Sequence, residues 1–341
     1  MRKAVIRGLV ELAEKDPRVV FLTADLGYTV VEPFAERFPD RFFNVGVSEQ
    51  NMIGVASGLA ESGFIPYVYS IAPFAALRPY EFIRNGPVLQ RLPVRIIGVG
   101  GGFDYAPAGP THYALEDIGV FRMLPGMHVI APADARQCRT ALLALHDSPE
   151  PAYFRLGKDE KYEVPGLDGR FAPGRAQTVR HGADCLFICL GPIVAMALRA
   201  ADTLAQSGLQ STVVAVASMS PAPADDLAAV MARFRSVLTV EAHYVSGGLG
   251  SLVCETVAER SLDCRVTRCG VTASPAGEQG DAEYMARRHG LSPERLVGLA
   301  LKDRAERVPG SLSPATGSSD WRTGGATEPA RGVGGAIPGK P

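Results

Sequence analysis

Two residues of this 341-residue chain combine a titratable side chain with a local setting that could put it to work. Glu49 lies in Phe43-Asn44-Val45-Gly46-Val47-Ser48-Glu49-Gln50-Asn51-Met52-Ile53-Gly54, where strand-forming residues run into a helix start. His112 closes the string Gly109-Pro110-Thr111-His112, with Glu116 and Asp117 shortly after. A carboxyl and an imidazole are groups that can move protons. On pattern alone each has a plainer reading. Ser48 stands as an N-cap and Glu49 in the first turn as a carboxylate favoured by the helix dipole. A lone histidine more often serves structure. Phe74, in Tyr69-Ser70-Ile71-Ala72-Pro73-Phe74, reads first as core packing on an amphipathic helix.

These residues are carried by a chain in which apolar runs alternate with helical patterns. Strands are expected at 19–24, 65–69, 94–99, 127–131 and 152–155, and helices at 51–62, 74–84, 115–123 and 134–146. A polar, turn-rich stretch at 157–176, with Pro165, Gly166 and Pro173, reads as a linker between units at 1–156 and 177–304. In the second unit strands are expected at 185–190, 212–216, 237–241 and 265–269. Helices there fall at 193–205 and 224–234, after Gly247-Gly248-Leu249-Gly250, and at 293–301. Such alternation predicts an α/β fold of two doubly wound domains with mostly parallel sheets. Residues 305–341 are rich in Gly, Ser, Pro, Thr and Ala, too poor in apolar anchors to offset ordering entropy, and are expected to form a disordered tail. Trp321, the single tryptophan, lies there and is expected to emit as a water-exposed indole.

Charge and composition narrow the function classes. With 35 basic and 36 acidic residues, nothing favours nucleic acid as a partner. No apolar run approaches the roughly 18 residues of a membrane span, and the charged start is not that of a secretory signal. The six cysteines form no C-x-x-C pair, and several sit in apolar runs; reduced, buried thiols in a cytoplasmic protein are expected.

The strand–Gly-x-x-Glu–helix junction and the Gly-Pro-Thr-His string together resemble the pyrimidine-binding domain of transketolases and 1-deoxyxylulose-5-phosphate synthases. The resemblance implies that Glu49 hydrogen-bonds N1′ of the aminopyrimidine of thiamine diphosphate. A carboxyl that shares a proton there favours the imino tautomer, whose 4′ nitrogen takes the weakly acidic C2 proton. It implies further that His112 binds substrate hydroxyls or shuttles their protons, and that Phe74 stacks on the pyrimidine. Asp25, in Ala24-Asp25-Leu26, would line the cofactor cleft, with Thr29 in place of the family's serine. Arg2 and Arg155 stand where the family aims arginines at a sugar phosphate, which their fork of donors suits. The second unit, with Glu241-Ala242-His243, resembles the family's C-terminal domain, and His243 is assigned no chemistry.

Departures carry information too. The family's phosphate-binding histidine falls on Gly100 and its substrate aspartate on Ala108, so Gly98–Gly102 is expected to be roomier and less polar than a sugar-phosphate site. A substrate outside the ordinary pentose phosphate pair is therefore expected, or a different hold on phosphate. No Gly-Asp-Gly occurs in the chain; its one Asp-Gly pair is Asp168-Gly169. The resemblance thus implies a partner, the N-terminal subunit of a two-component transketolase, holding the diphosphate through Mg2+ or Ca2+. It implies an α2β2 heterotetramer with cofactors at the interfaces between chains, transferring a two-carbon ketol unit from a ketose-type donor to an aldehyde. Alternatives are the β subunit of a 2-oxoacid dehydrogenase, a deoxyxylulose-phosphate synthase-like enzyme, or a catalytically silent scaffold. A dinucleotide-binding oxidoreductase is disfavoured, because Phe103-Asp104-Tyr105-Ala106-Pro107 and not a helix follows the glycines.

Overall fold

The structure, a computed structural model, describes residues 1–158 and 161–305. The expectations placed on residues 306–341, Trp321 included, lie outside the described residues. The first unit runs α1 (Arg2–Lys15), β1 (Val19–Thr23), α2 (Glu32–Arg37), β2 (Phe42–Asn44), α3 (Glu49–Glu61) and β3 (Ile65–Ile71). It continues α4 (Ala72–Ala76), α5 (Tyr80–Ile83), β4 (Arg95–Val99), α6 (Asp117–Arg122), β5 (His128–Ile130), α7 (Ala135–Ala144) and β6 (Ala152–Leu156). The second unit runs β7 (Ala176–Arg180), β8 (Cys185–Leu190), α8 (Val194–Gln206), β9 (Ser211–Val216), β10 (Ser218–Ser220) and α9 (Ala224–Met231). After these come β11 (Ser236–Tyr244), α10 (Leu249–Glu259), β12 (Arg265–Val271), α11 (Ala282–Arg288) and α12 (Pro293–Ala305).

Two mostly parallel sheets result. Seven strands lie in the order β10-β5-β6-β4-β3-β1-β2 and five in the order β12-β11-β8-β9-β7. Only the edge strands β10 and β7 run antiparallel to their neighbours. Strand β1 is buried on both faces, so its residues alternate between two cores. Val19 and Phe21 pack with Val5, Leu9 and Phe34, whereas Val20 and Leu22 pack with Met52, Ile53 and Phe121.

The sheet places the chemistry. Thr23, at the end of β1, is paired with Asn44 of β2 on one side and Tyr69 of β3 on the other. The chain leaves β1 for β2 in one direction and reaches β3 in the other, so this is a topological switch point, where open α/β sheets leave a crevice at their carboxyl ends. Glu49 follows β2, Asp25 follows β1, and Phe74 follows β3.

Some elements differ from expectation. The helix predicted at 74–84 is broken into α4, α5 and a π-type turn at Arg84–Val88. The break falls at residues 77–79, where Pro79 lacks the N–H that a continuous helix needs and its ring crowds the preceding turn. Helices α1, α2 and α11 and strands β7 and β10 were not predicted. β10 belongs by sequence to the second unit yet completes the first sheet, so the two units share strands as well as a core.

Polar ties also join the sheets. Arg155 of β6 donates through Nε to Asp117 at 2.9 Å and through Nη2 to the carbonyls of Ala114 (2.7 Å) and Ala242 (2.8 Å). Buried His243 accepts the Gly119 N–H at Nε2 (3.2 Å) while its Nδ1 faces the Tyr244 carbonyl at 2.7 Å. Each partner fills a donor or acceptor that burial would otherwise strand.

None of the six cysteines is in a disulfide; Cys138, Cys185, Cys189 and Cys269 are buried, Cys264 is half-buried and Cys254 is exposed. Burial pushes the Cys138 and Cys269 thiols up to about 12. Titration of the native protein with an aromatic disulfide reagent is therefore expected to show one fast thiol, Cys254, and a slower Cys264. The four buried thiols should react only on unfolding; their rapid reaction in the native state would contradict this packing.

Candidate active site

Glu49 opens α3 and its side chain is 2% exposed. Its carboxylate does not cap the helix. Oε1 accepts the Ser70 hydroxyl at 3.0 Å, and Oε2 accepts Nη1 of Arg78 at 2.9 Å. Ser48 does occupy the N-cap position, but its hydroxyl donates to the Val45 carbonyl at 2.9 Å instead of accepting a helix N–H. Two donors thus offset the desolvation of one buried charge.

Arg78 leads onward to the other candidates. Its guanidinium carbon lies 3.8 Å from the centroid of the half-buried Phe74 ring. That ring meets the His112 imidazole edge to face, with centroids 4.9 Å apart. Thr111 Oγ1 stands 3.0 Å from His112 Nδ1. Glu49, Phe74 and His112, drawn from three separate segments, are therefore linked in one continuous array.

Asp25 braces the same corner. Its N–H donates to Asn44 Oδ1 and the Asn44 amide returns a bond to Asp25 Oδ1, both 3.0 Å; Gly46 N–H donates to the same Asn44 oxygen at 3.0 Å. Asp25 (φ 55°) and Thr29 (φ 65°) both sit in the left-handed region, which side chains occupy only when their surroundings hold them. Thr29 is exposed, its N–H donating to Glu32 at 2.7 Å.

Arg2 and Arg155 make their contacts with other residues. Arg2 stands by Tyr105, and Arg155, 4% exposed, is committed to the bonds between the sheets given above. Among the described residues neither bonds Glu49, Phe74 or His112. The roominess expected at the glycine run is also corrected. A Cβ on Gly100 (φ 85°) would sit 2.1 Å from the Tyr105 ring, so the glycine admits that ring and leaves no vacant space. Lys158 Nζ lies 4.2 Å from the Tyr105 centroid on its own account. Ala108 is exposed.

Sequence reasoning missed Ser70 and Arg78. A serine in a buried strand gives no signal by type, and Arg78 reads as a solvated charge beside a proline. The one available hint was a strand-end serine facing a carboxylate that needs donors.

The array lies at the switch point of the larger of two α/β domains with mostly parallel sheets. Residues 1–162 match the family described as Transketolase, pyrimidine binding domain, and residues 174–296 match Transketolase, C-terminal domain. An apulose-4-phosphate transketolase subunit of Actinobacillus succinogenes is 32% identical over 80% of this chain and 87% of its own length. The 6-deoxy-6-sulfo-D-fructose transketolase subunit of a Clostridium species is 34% identical over 88% of this chain and 93% of its own. A solved split-gene transketolase, an inactive β4 tetramer, superposes with a TM-score of 0.80 at 36% identity, covering 88% of this chain and 97% of that one. The chain belongs to the transketolase family, as the pyrimidine-binding and C-terminal component of the split kind, a transferase component that works with a partner subunit.

Ser70→Ala is expected to remove one of the two donors to a buried carboxylate and to cost about 1–3 kcal/mol in urea unfolding. A change below about 0.5 kcal/mol would show that the hydroxyl does not support Glu49.

Proposed function

We propose that this chain supplies the pyrimidine-binding wall of a two-component transketolase, and that thiamine diphosphate lies between it and the partner subunit. The linkage of Glu49, Phe74 and His112 through Arg78 carries this reading. A carboxylate able to bond a ring nitrogen, an aromatic face able to stack on that ring and an imidazole beside it suit the aminopyrimidine half of the cofactor. When bound, the cofactor supplies the acidic C2 position that accepts the two-carbon unit. Glu49 holds or yields a proton at the ring nitrogen, Phe74 orients the ring, and His112 moves protons at the hydroxyls of the sugar. Asp25, through Asn44 and Gly46, fixes the loop that leads to Glu49.

The diphosphate half requires a cation cage of carboxylate and carbonyl oxygens. Among the described residues the one cluster with three possible metal ligands is Asp16, His146 and Asp147. Asp16 lies just before β1, at the opposite end of the sheet from Glu49. We therefore place Mg2+ or Ca2+ and the diphosphate on the partner. Exposed apolar side chains surround the site residues in sequence: Tyr28 is 74% exposed, Val47 72%, Leu77 41% and Phe82 47%. An apolar rim of this kind suits burial under another polypeptide, and an α2β2 heterotetramer would close two equivalent sites. Cysteines kept as thiols fit a cytoplasmic enzyme. Among the described residues no helix is long and apolar enough to cross a membrane.

The relatives act on apulose 4-phosphate and 6-deoxy-6-sulfo-D-fructose, as their names state. With Gly100 occupied by Tyr105, Ala108 lacking a polar group and Arg155 spent inside the fold, this chain is poorly equipped for an ordinary pentose phosphate. We infer a ketose donor of unusual structure, with Arg2 and Thr29 retained as candidates for its acidic and hydroxyl groups.

Reconstitution with the partner, thiamine diphosphate and magnesium is the test. Two-carbon transfer is expected only from the mixture, with xylulose 5-phosphate plus ribose 5-phosphate at least about tenfold below the best donor–acceptor pair in kcat/KM, the scale of one lost polar contact. Full activity on that ordinary pair would overturn the substrate reading; activity of the isolated chain would overturn the shared site.

A further inference from the structure

Arg78 makes, within this chain, both contacts that the cofactor ring is proposed to make. It donates to the buried Glu49 carboxylate at 2.9 Å, and its planar guanidinium lies 3.8 Å from the centroid of Phe74. A guanidinium is flat, delocalised and rich in N–H donors, which makes it a close chemical analogue of a protonated aminopyrimidine. Arg78 is the exposed member of the pair: its side chain is 41% exposed, whereas Glu49 beneath it is 2% exposed. The cation–π contact is individually weak, and the buried Glu49 carboxylate can give up its Arg78 donor at small net cost only when another donor replaces it, which suits exchange with an incoming ring.

We infer that Arg78 is an internal plug: in the uncomplexed subunit it occupies the place of the aminopyrimidine, satisfying Glu49 and covering Phe74 until the cofactor displaces it. This rests on the proposed role of Glu49 and Phe74. The plug would keep a lone buried carboxylate from being left unpaired before assembly, an arrangement costly to any fold. It would also lower the apparent affinity of the ring by the fraction of molecules in which Arg78 is seated.

Calorimetric titration of the full-length chain with 4-amino-5-hydroxymethyl-2-methylpyrimidine, the uncharged ring alone, separates the possibilities. Arg78→Ala and Arg78→Met are each expected to tighten ring binding by about five- to thirtyfold, the scale of one partly exposed ion pair plus one cation–π contact. Arg78→Lys, which keeps the charge and loses the flat face, should fall between. Added salt should tighten binding to the unsubstituted chain, by screening Arg78 from Glu49, and leave Arg78→Met nearly unchanged. Unchanged, weakened or undetectable binding in a folded Arg78→Met protein would overturn the plug. Controls with Glu49→Ala and Phe74→Ala keep the two readings apart. If they abolish ring binding while Arg78→Met fails to improve it, the site stands and the plug falls; if they leave ring binding intact, the site assignment itself is wrong.

Discussion

A carboxylate removed from water must be given donors, and the Glu49 carboxylate is the charge around which this end of the molecule is organised. Ser70 reaches it from the adjoining strand and Arg78 from the broken helical segment beyond. Ser70 is fully buried near the end of β3, whereas the Arg78 side chain is 41% exposed.

The rest of the fold brings short segments to this charge. Parallel pairing of β1 with β2 and β3 aligns Thr23, Asn44 and Tyr69, so the loops leaving three strands meet at one corner. The left-handed residues Asp25 and Thr29 turn the first loop, and the Asp25–Asn44–Gly46 bonds couple it to the second. The second sheet takes no part in that corner. It is fastened to the first by β10, by the Arg155 bonds and by His243, which give the wall a rigid support. Arginines that look alike in sequence divide here between structure and site: Arg155 is a strut, whereas Arg78 faces the candidate chemistry.

The sequence was most readable where one physical signal dominated. Strands such as β4 and β8 are long apolar runs buried on both faces, and helices such as α7 and α8 repeat their apolar residues at helical spacing, so periodicity located them. It failed where several weak signals competed. Strand β10 has three residues, too few for a pattern, and joins a sheet remote from its neighbours in sequence. Pro79 interrupted a helix that apolar spacing alone would have continued. At the site, Glu49 and His112 were readable from motifs, but Ser70 and Arg78 owe their positions to tertiary pairing and carry no motif of their own. The glycines at 98–102 misled for a related reason. A missing side chain signals close approach by some neighbour, and only the fold shows that the neighbour at Gly100 is Tyr105.

The central claim is that the Glu49 carboxyl acts on the cofactor's ring nitrogen and so governs proton loss at C2. Rapid-quench deuterium exchange at C2 in the assembled two-subunit complex reads that step without any sugar present. Exchange in Glu49→Ala is expected to fall by about 10²-fold or more, within the range for a positioned acid–base group, with the cofactor shown to be bound. Equal exchange rates in the two proteins would place the proton chemistry elsewhere and remove the basis of the assignment.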